Sequence, residues 1–149
     1  MFGPHLVLEA YNCKNKNKLA DKDTIRQLLA EFPSQLNMTT IMEPQVMYYD
    51  GGEIPDDKGV SGFVIIAESH IAIHTFAEKG FLTLDIFSCK EFNIEAAIDY
   101  VLRFFEPTHY EHKVFDRGRE FPRSLGRAAQ IVGNERCRVQ HNRELVGVK

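Results

Sequence analysis

Apolar positions along the chain follow two periods, and each predicts its own elements. His5 to Tyr11 carries Leu6, Val7 and Leu8 and reads as a strand. Asn12 to Lys18 is polar and basic and reads as a loop. From Asp21 to Phe32, Ile25, Leu28, Leu29 and Phe32 fall at helical spacing, with Asp23 placed to cap the helix and Pro33 to close it. Met38 to Tyr49 is a weaker strand, interrupted at Pro44. The stretch YYDGGEIPDDKG, residues 48–59, is a loop: it joins Asp-Gly-Gly, a proline and four acids. Two apolar strands follow, Val60 to Ala67 and His70 to Phe76, then a turn at 77–80 and a third strand from Phe81 to Ser88. Asn93 can cap a helix to about Phe105, with Ile94, Ala97, Ile98, Val101, Leu102 and Phe105 on one face and Pro107 beyond it. Tyr110 to Phe115 reads as a last strand, and Arg117 to Arg123 as a charged exit.

Consecutive strands joined by short turns imply a mainly antiparallel sheet. Two amphipathic helices on one face make an α+β fold, a two-layer α/β sandwich. Such a thin domain leaves the other sheet face to be covered, most simply by a second copy of the chain. The domain is expected to span residues 1–123. Residues 124–149 are polar, carry Arg127, Arg136, Arg138 and Arg143, and read as an extension.

Composition narrows the function classes. The 149 residues are 44% hydrophobic and 26% charged, with a net charge of −3, so nothing suggests a nucleic-acid or anionic-membrane partner. No apolar run approaches the roughly 20 residues of a membrane helix, and the N-terminus lacks the features of a signal peptide. Three widely spaced cysteines, Cys13, Cys89 and Cys137, are no disulfide framework, so the expected setting is cytoplasmic. His70 and His74 lie four apart on a strand, about 13 Å, too far to share one metal ion. No phosphate-binding or dinucleotide-binding glycine motif is present.

One feature does not fit a simple core. Glu68, Ser69 and His70 stand between the two apolar central strands. Read on pattern alone, they are the solvated tip of a tight hairpin, or else a nucleophilic site. In the second reading Ser61, His74 and Cys89 can be gathered around Ser69 by neighbouring strands, and spacing does not choose among the chemistries open to them.

At these residues the chain resembles the prokaryotic S-adenosylmethionine decarboxylase family. The blocks are GVSGFVIIAESHIAIHT (59–75) and LDIFSC (84–89), supported by GPHLVLE (3–9) and RGREFPR (117–123). The resemblance implies self-cleavage between Glu68 and Ser69, giving a β chain of residues 1–68 and an α chain of residues 69–149. Ser69 would become a pyruvoyl group, the cofactor, which forms a Schiff base with the substrate amine. It implies that His74 assists the elimination as a base, that Ser61 hydrogen-bonds the tetrahedral intermediate, and that Cys89 donates a proton to the substrate carbon. Glu68 would then lie at the edge of the site, and the sites would form at a homodimer interface. The product, decarboxylated S-adenosylmethionine, would feed spermidine synthesis.

The substrate region departs from the family pattern. His-Thr-Trp-Pro-Glu is replaced by His74-Thr75-Phe76-Ala77-Glu78, and the Phe-x-Pro segment before Gly-Val-Ser-Gly by Glu53-Ile54-Pro55-Asp56-Asp57-Lys58. Glu78 remains where the family places a residue near the ligand, and Phe76, Tyr48 or Tyr49 can supply an aromatic ring. The acidic loop with Asp50, Glu53, Asp56 and Asp57 also fits an L-ornithine or L-arginine substrate, the alternative on the same scaffold. A non-processing homologue acting as a binding partner is a third reading. Retention of Ser61, Glu68, Ser69, His74 and Cys89 argues against it.

Overall fold

The computed structural model describes residues 3–118. Six strands, β1 (Gly3–Tyr11), β2 (Gln45–Tyr49), β3 (Gly59–Ile66), β4 (Ser69–Phe76), β5 (Phe81–Ser88) and β6 (His109–Arg117), form one antiparallel sheet in the order β2-β3-β4-β5-β1-β6. Three helices, α1 (Lys16–Ala20), α2 (Lys22–Gln35) and α3 (Ile94–Phe105), accompany it. The two-layer α+β sandwich expected from the pattern is the observed one, with a third, short helix added.

Alternation along each strand divides the sheet. Leu6, Leu8, Val60, Val64, Ile71, Ile73, Leu82, Leu84 and Ile86 point to one face and form a single core with Ile25, Leu28, Leu29 and Phe32 of α2 and Ala97, Val101 and Phe105 of α3. Each fully buried side chain of this size contributes about 1.5–3 kcal/mol of transfer free energy. Thr75 is buried in this layer because its hydroxyl is satisfied: it accepts the Val60 N–H (3.0 Å) and donates to the Leu19 carbonyl of α1 (2.6 Å). Gly59 starts β3 where a Cβ would run into the Thr75 carbonyl oxygen, so no larger residue fits that approach.

Several boundaries differ from expectation. Asn12 to Lys18 is not all loop: Asn15 accepts the Lys18 N–H and starts α1. The cap of α2 is Asp21, which accepts the Thr24 N–H at 3.0 Å, rather than Asp23. Pro33 does not close α2. It lies in the last turn, where only its own missing donor is lost, and the Pro33 carbonyl accepts from both Leu36 and Met38. The strand expected over Met38 to Tyr49 shortens to β2, since Pro44 cannot donate to a ladder, although Thr40 bridges Ile66 beyond it. The exit beyond Gly118 and the extension 124–149 lie outside the described residues. Among the described residues no helix is long and apolar enough to cross a membrane.

Among the described residues, no helix lies on the other face. Strand register orders its side chains into rows across the sheet: Ile65-His70-Phe87-His5-Phe115, then Phe63-Ala72-Asp85-Val7-Lys113, then Ser61-His74-Thr83-Glu9-Glu111, then Phe76-Phe81-Tyr11-His109. On this face Met47, Tyr49, Phe63 and Phe115 are exposed.

Candidate active site

Ile66 pairs with Ser69, so Ala67 and Glu68 alone make the turn between β3 and β4. Segments remote in sequence fasten this turn on both sides. The Ala67 N–H donates to the Thr39 carbonyl (2.8 Å), and the Cys89 N–H donates to the Glu68 carbonyl (2.7 Å). Ser69 pairs in turn with Ser88 of β5. Immediately after this clamped carbonyl, Ser69 has a φ of +155°, a region that residues with a side chain seldom occupy and that costs of order 1–3 kcal/mol. The peptide bond between Glu68 and Ser69 therefore joins a fixed carbonyl to a strained serine.

The Glu68 side chain is 4% exposed. Its Oε2 accepts the Thr39 N–H (3.0 Å) and its Oε1 accepts from Lys90 Nζ (3.3 Å). Burial alone would raise the Glu68 carboxyl, but the Thr39 N–H, its own N–H and the Lys90 ammonium outweigh burial and hold it below the usual range. A carboxyl depressed by folding stabilises the fold above the unfolded value, near 4.3, and loses that contribution as pH falls through the folded value. In protein kept whole by Ser69→Ala, thermal melts at stepped pH are expected to lose stability on acidification. Adding Glu68→Gln should reduce that slope; an unchanged slope would place the titration elsewhere.

The expected base and its partner do meet. Ser61 faces His74 across β3 and β4, and the Ser61 hydroxyl shares a 2.8 Å hydrogen bond with His74 Nδ1. They do not meet Ser69 in the same chain. Five residue steps along β4 separate Ser69 from His74, about 16 Å of strand. Cys89 is on the Ser69 side, half-buried next to the Ser88 partner of Ser69. The five residues thus fall into two groups: Glu68, Ser69 and Cys89 at one end of the sheet, and Ser61 with His74 on its helix-free face. The other described cysteine, Cys13, is buried, and burial pushes its thiol up to about 11, which leaves it a core residue.

The residues expected to hold substrate lie beyond His74. Phe76 stacks on Phe81 with centroids 5.6 Å apart, and Tyr11 continues the row, 5.0 Å from Phe81. Glu78, in the turn after β4, pairs with Lys58 at 3.1 Å, and Lys79 pairs with Asp57 at 2.7 Å. These pairs fasten the acidic loop to the β4–β5 turn and engage two of its charges, while Tyr48 and Tyr49 are exposed on the edge strand β2.

Three features escaped the sequence reading. Lys90 holds Glu68, and its only sequence signal is adjacency to Cys89. The Thr39 N–H reaches Glu68 from 29 residues away, with no sequence signal at all. A cluster of His5, His70, Asp85 and Arg117 surrounds Phe87 near the Ser69 end. In it His5 Nε2 is 3.4 Å from Asp85 Oδ1, and Arg117 lies 4.0 Å over the Phe87 ring. Burial, with the nearby His5 and Arg117 charges, holds the His70 imidazole below its usual pKa.

Comparison with known proteins agrees with this geometry. The family model described as S-adenosylmethionine decarboxylase matches residues 4–118. The S-adenosylmethionine decarboxylase proenzyme of Archaeoglobus fulgidus is 33% identical over 78% of this chain and 97% of its own length. That of Thermococcus kodakarensis is 38% identical over 79% of this chain and 78% of its own length. The crystal structure of the adenosylmethionine decarboxylase from Aquifex aeolicus superposes with a TM-score of 0.66 at 28% identity, covering 78% of this chain and 91% of that one. With a matching family model over most of its length and the Glu68–Ser69 turn in place, the chain belongs to the S-adenosylmethionine decarboxylase family.

Proposed function

We propose that this chain is a self-processing, pyruvoyl-dependent decarboxylase that converts S-adenosylmethionine to decarboxylated S-adenosylmethionine and CO₂, the aminopropyl-donor step of spermidine synthesis. The observation that carries the reading is the Glu68–Ser69 peptide bond, with its carbonyl clamped by the Cys89 N–H and its serine at φ +155°. The family comparisons give the ornithine or arginine alternative no support.

The residues present support the following course of processing. The Ser69 hydroxyl attacks the Glu68 carbonyl carbon, the C–N bond breaks, and an ester replaces the amide. The Cys89 N–H already donates to the oxygen on which charge develops, the position an oxyanion donor needs. Relief of strain at Ser69 offsets part of the cost of exchanging amide for ester. Removal of the Ser69 α-proton then expels the Glu68 carboxylate and leaves dehydroalanine. Tautomerisation and attack by water release ammonia and give the pyruvoyl group at residue 69. The products are the β chain of residues 1–68 and the α chain of residues 69–149.

The pyruvoyl group supplies an electron-withdrawing carbonyl that stabilises the carbanion left by loss of CO₂. The chain's own residues do the rest. Cys89, whose N–H bonds the Glu68 carbonyl, is the residue proposed to deliver a proton. His74, with Ser61 on its Nδ1, is a base whose ring is held in one orientation. Glu78 and Phe76 are the contacts proposed for the substrate's nucleoside.

The separation of Ser69 from His74 supports a homodimer with shared sites. Consider a two-fold axis lying between two helix-free faces and crossing the strands near Ala72. It sets the Ser69 end of each β4 over the partner's Ser61 and His74, with sheets stacked about 10 Å apart. The same axis turns the end bearing His5, His70 and Arg117 toward the partner's end bearing Glu9 and Glu111. It also covers Phe63 and the aromatic rows.

The direct test is CO₂ release from carboxyl-labelled S-adenosylmethionine, with ornithine and arginine as controls, on protein whose cleavage after Glu68 is verified by intact mass. Release from S-adenosylmethionine alone is expected. Cleaved protein that releases CO₂ only from ornithine or arginine would overturn the substrate, and uncleaved protein the mechanism.

A further inference from the structure

Three consecutive residues form a cradle around Glu68. The Cys89 N–H donates to the Glu68 carbonyl at 2.7 Å. Lys90 Nζ reaches the Glu68 carboxylate at 3.3 Å. Ser88, 1% exposed, fixes the Lys90 backbone from both sides: its hydroxyl donates to the Lys90 carbonyl (2.7 Å) and accepts the Lys90 N–H (3.1 Å). The lysine backbone is thus held at both its N–H and its carbonyl while its side chain is 67% exposed. A lysine set on a surface usually gives little through an ion pair, because solvent screens it. Here the partner carboxylate is 4% exposed and belongs to the residue whose carbonyl is attacked, so its placement matters more than its contribution to stability.

The charge at this point changes when the chain is cut. Before cleavage Glu68 carries one negative charge, on its side chain. Afterwards it is the end of the β chain and carries a second, on the α-carboxylate that replaces the attacked carbonyl. The Cys89 N–H stays in reach of one oxygen of that group. Among the groups that bond Glu68 in this cradle, Lys90 is the cation that can offset the added charge.

We propose that Lys90 is a positioning residue for self-processing: it holds Glu68 in line with Ser69 during the attack and then anchors the new chain end that Glu68 becomes. This rests on cleavage between Glu68 and Ser69 as argued above. Lys90 touches neither reacting atom; it acts through Glu68. Loss of its charge leaves only backbone N–H groups, those of Thr39 and of Glu68 itself, on the carboxylate, so Glu68 is held less firmly in line with Ser69 in the uncleaved chain and the chain end frays in the cleaved one.

The test compares wild type, Lys90→Met and Lys90→Arg as full chains made by cell-free synthesis. The cleaved fraction is followed against time by denaturing electrophoresis. Lys90→Met is expected to cleave about tenfold more slowly, the loss typical of one charge-assisted hydrogen bond, and Lys90→Arg to recover most of the rate. Cleaved protein is then exposed to a carboxypeptidase, and loss of Glu68 from the β chain is read by intact mass. Glu68 is expected to be trimmed several-fold faster in Lys90→Met than in wild type, with Lys90→Arg again close to wild type. Melting temperatures in a Ser69→Ala background are expected to differ only slightly among the three, because an ion pair with so exposed a lysine adds little stability, and this separates positioning from a general loss of fold. Wild-type rates of cleavage and trimming in Lys90→Met would overturn the proposal, as would equal impairment of the Met and Arg variants. A wild-type chain that yields no break after Glu68 would instead remove the processing reading on which this one stands.

Discussion

Replacing Ser69 with alanine is expected to leave one chain of 149 residues under denaturing conditions, where the proposed processing of the native sequence gives two, ending and beginning at the Glu68–Ser69 bond. In the proposed processing the hydroxyl is at once the nucleophile that attacks the Glu68 carbonyl and the leaving oxygen expelled in the elimination, and alanine can be neither. Decarboxylation falls with it. Without a residue 69 that can be converted there is no carbonyl to withdraw electrons, and the loss is the whole of the rate enhancement, on the order of 10⁶-fold or more. The fold should persist, because Ser69 is a half-buried strand end and its backbone pairing with Ile66 and Ser88 needs no hydroxyl. Intact mass and a thermal melt on the same sample check both halves of the expectation. Cleavage at the same bond in Ser69→Ala would end the serine mechanism. Ser69→Cys is the informative companion. A thiol can still attack and leave, so some cleavage should survive in it.

Where sequence reading succeeded, one local signal was enough. The helix α3 has a cap at Asn93, whose side chain accepts the Ala96 N–H, and an apolar stripe of Ala97, Ile98, Val101 and Phe105. β5 is bounded by a turn at Gly80 on one side and polar residues on the other. The helix α1 went unseen because five residues burying only Leu19 carry no period. β2 was overextended because the segment around Met38 to Ile41 is apolar for another reason: it crosses the end of β3, and Thr39 reaches the Glu68 turn. That contact spans 29 residues and has no local trace.

The site divides along the same line. The Ser61–His74 pairing was within reach, since both stand five residues from the ends of a two-residue turn, and an antiparallel hairpin must bring them face to face. The gap between that pair and Ser69 was also implicit in strand rise. It was hidden by the picture of a hairpin that gathers everything at its tip. A hairpin joins residues across its strands, never along them. Residues that share one strand stay apart, and a chemistry that needs both must find one of them on another molecule.

Mixed dimers make that expectation decisive. Ser69→Ala keeps Ser61 and His74 but has no nucleophile; His74→Ala keeps the nucleophile but has no base. Alone, the first should not cleave, and the second should cleave more slowly by about 10²–10⁴-fold, the usual contribution of a positioned general base. Co-expressed under two different tags and purified through both, the mixed dimer holds one complete site if Ser69 works against the partner's His74. The His74→Ala chain is then expected to be cut at near the native rate while the Ser69→Ala chain stays whole. If the site were built within one chain, the mixed dimer would hold no complete site, and its His74→Ala chain would cleave no faster than it does alone. Both substitutions leave the core untouched, His74 being exposed and Ser69 half-buried, so the two outcomes differ in the chemistry of one bond and not in folding. The roughly 16 Å of strand between Ser69 and His74 favours the first, because no side-chain rotation spans that distance within one chain.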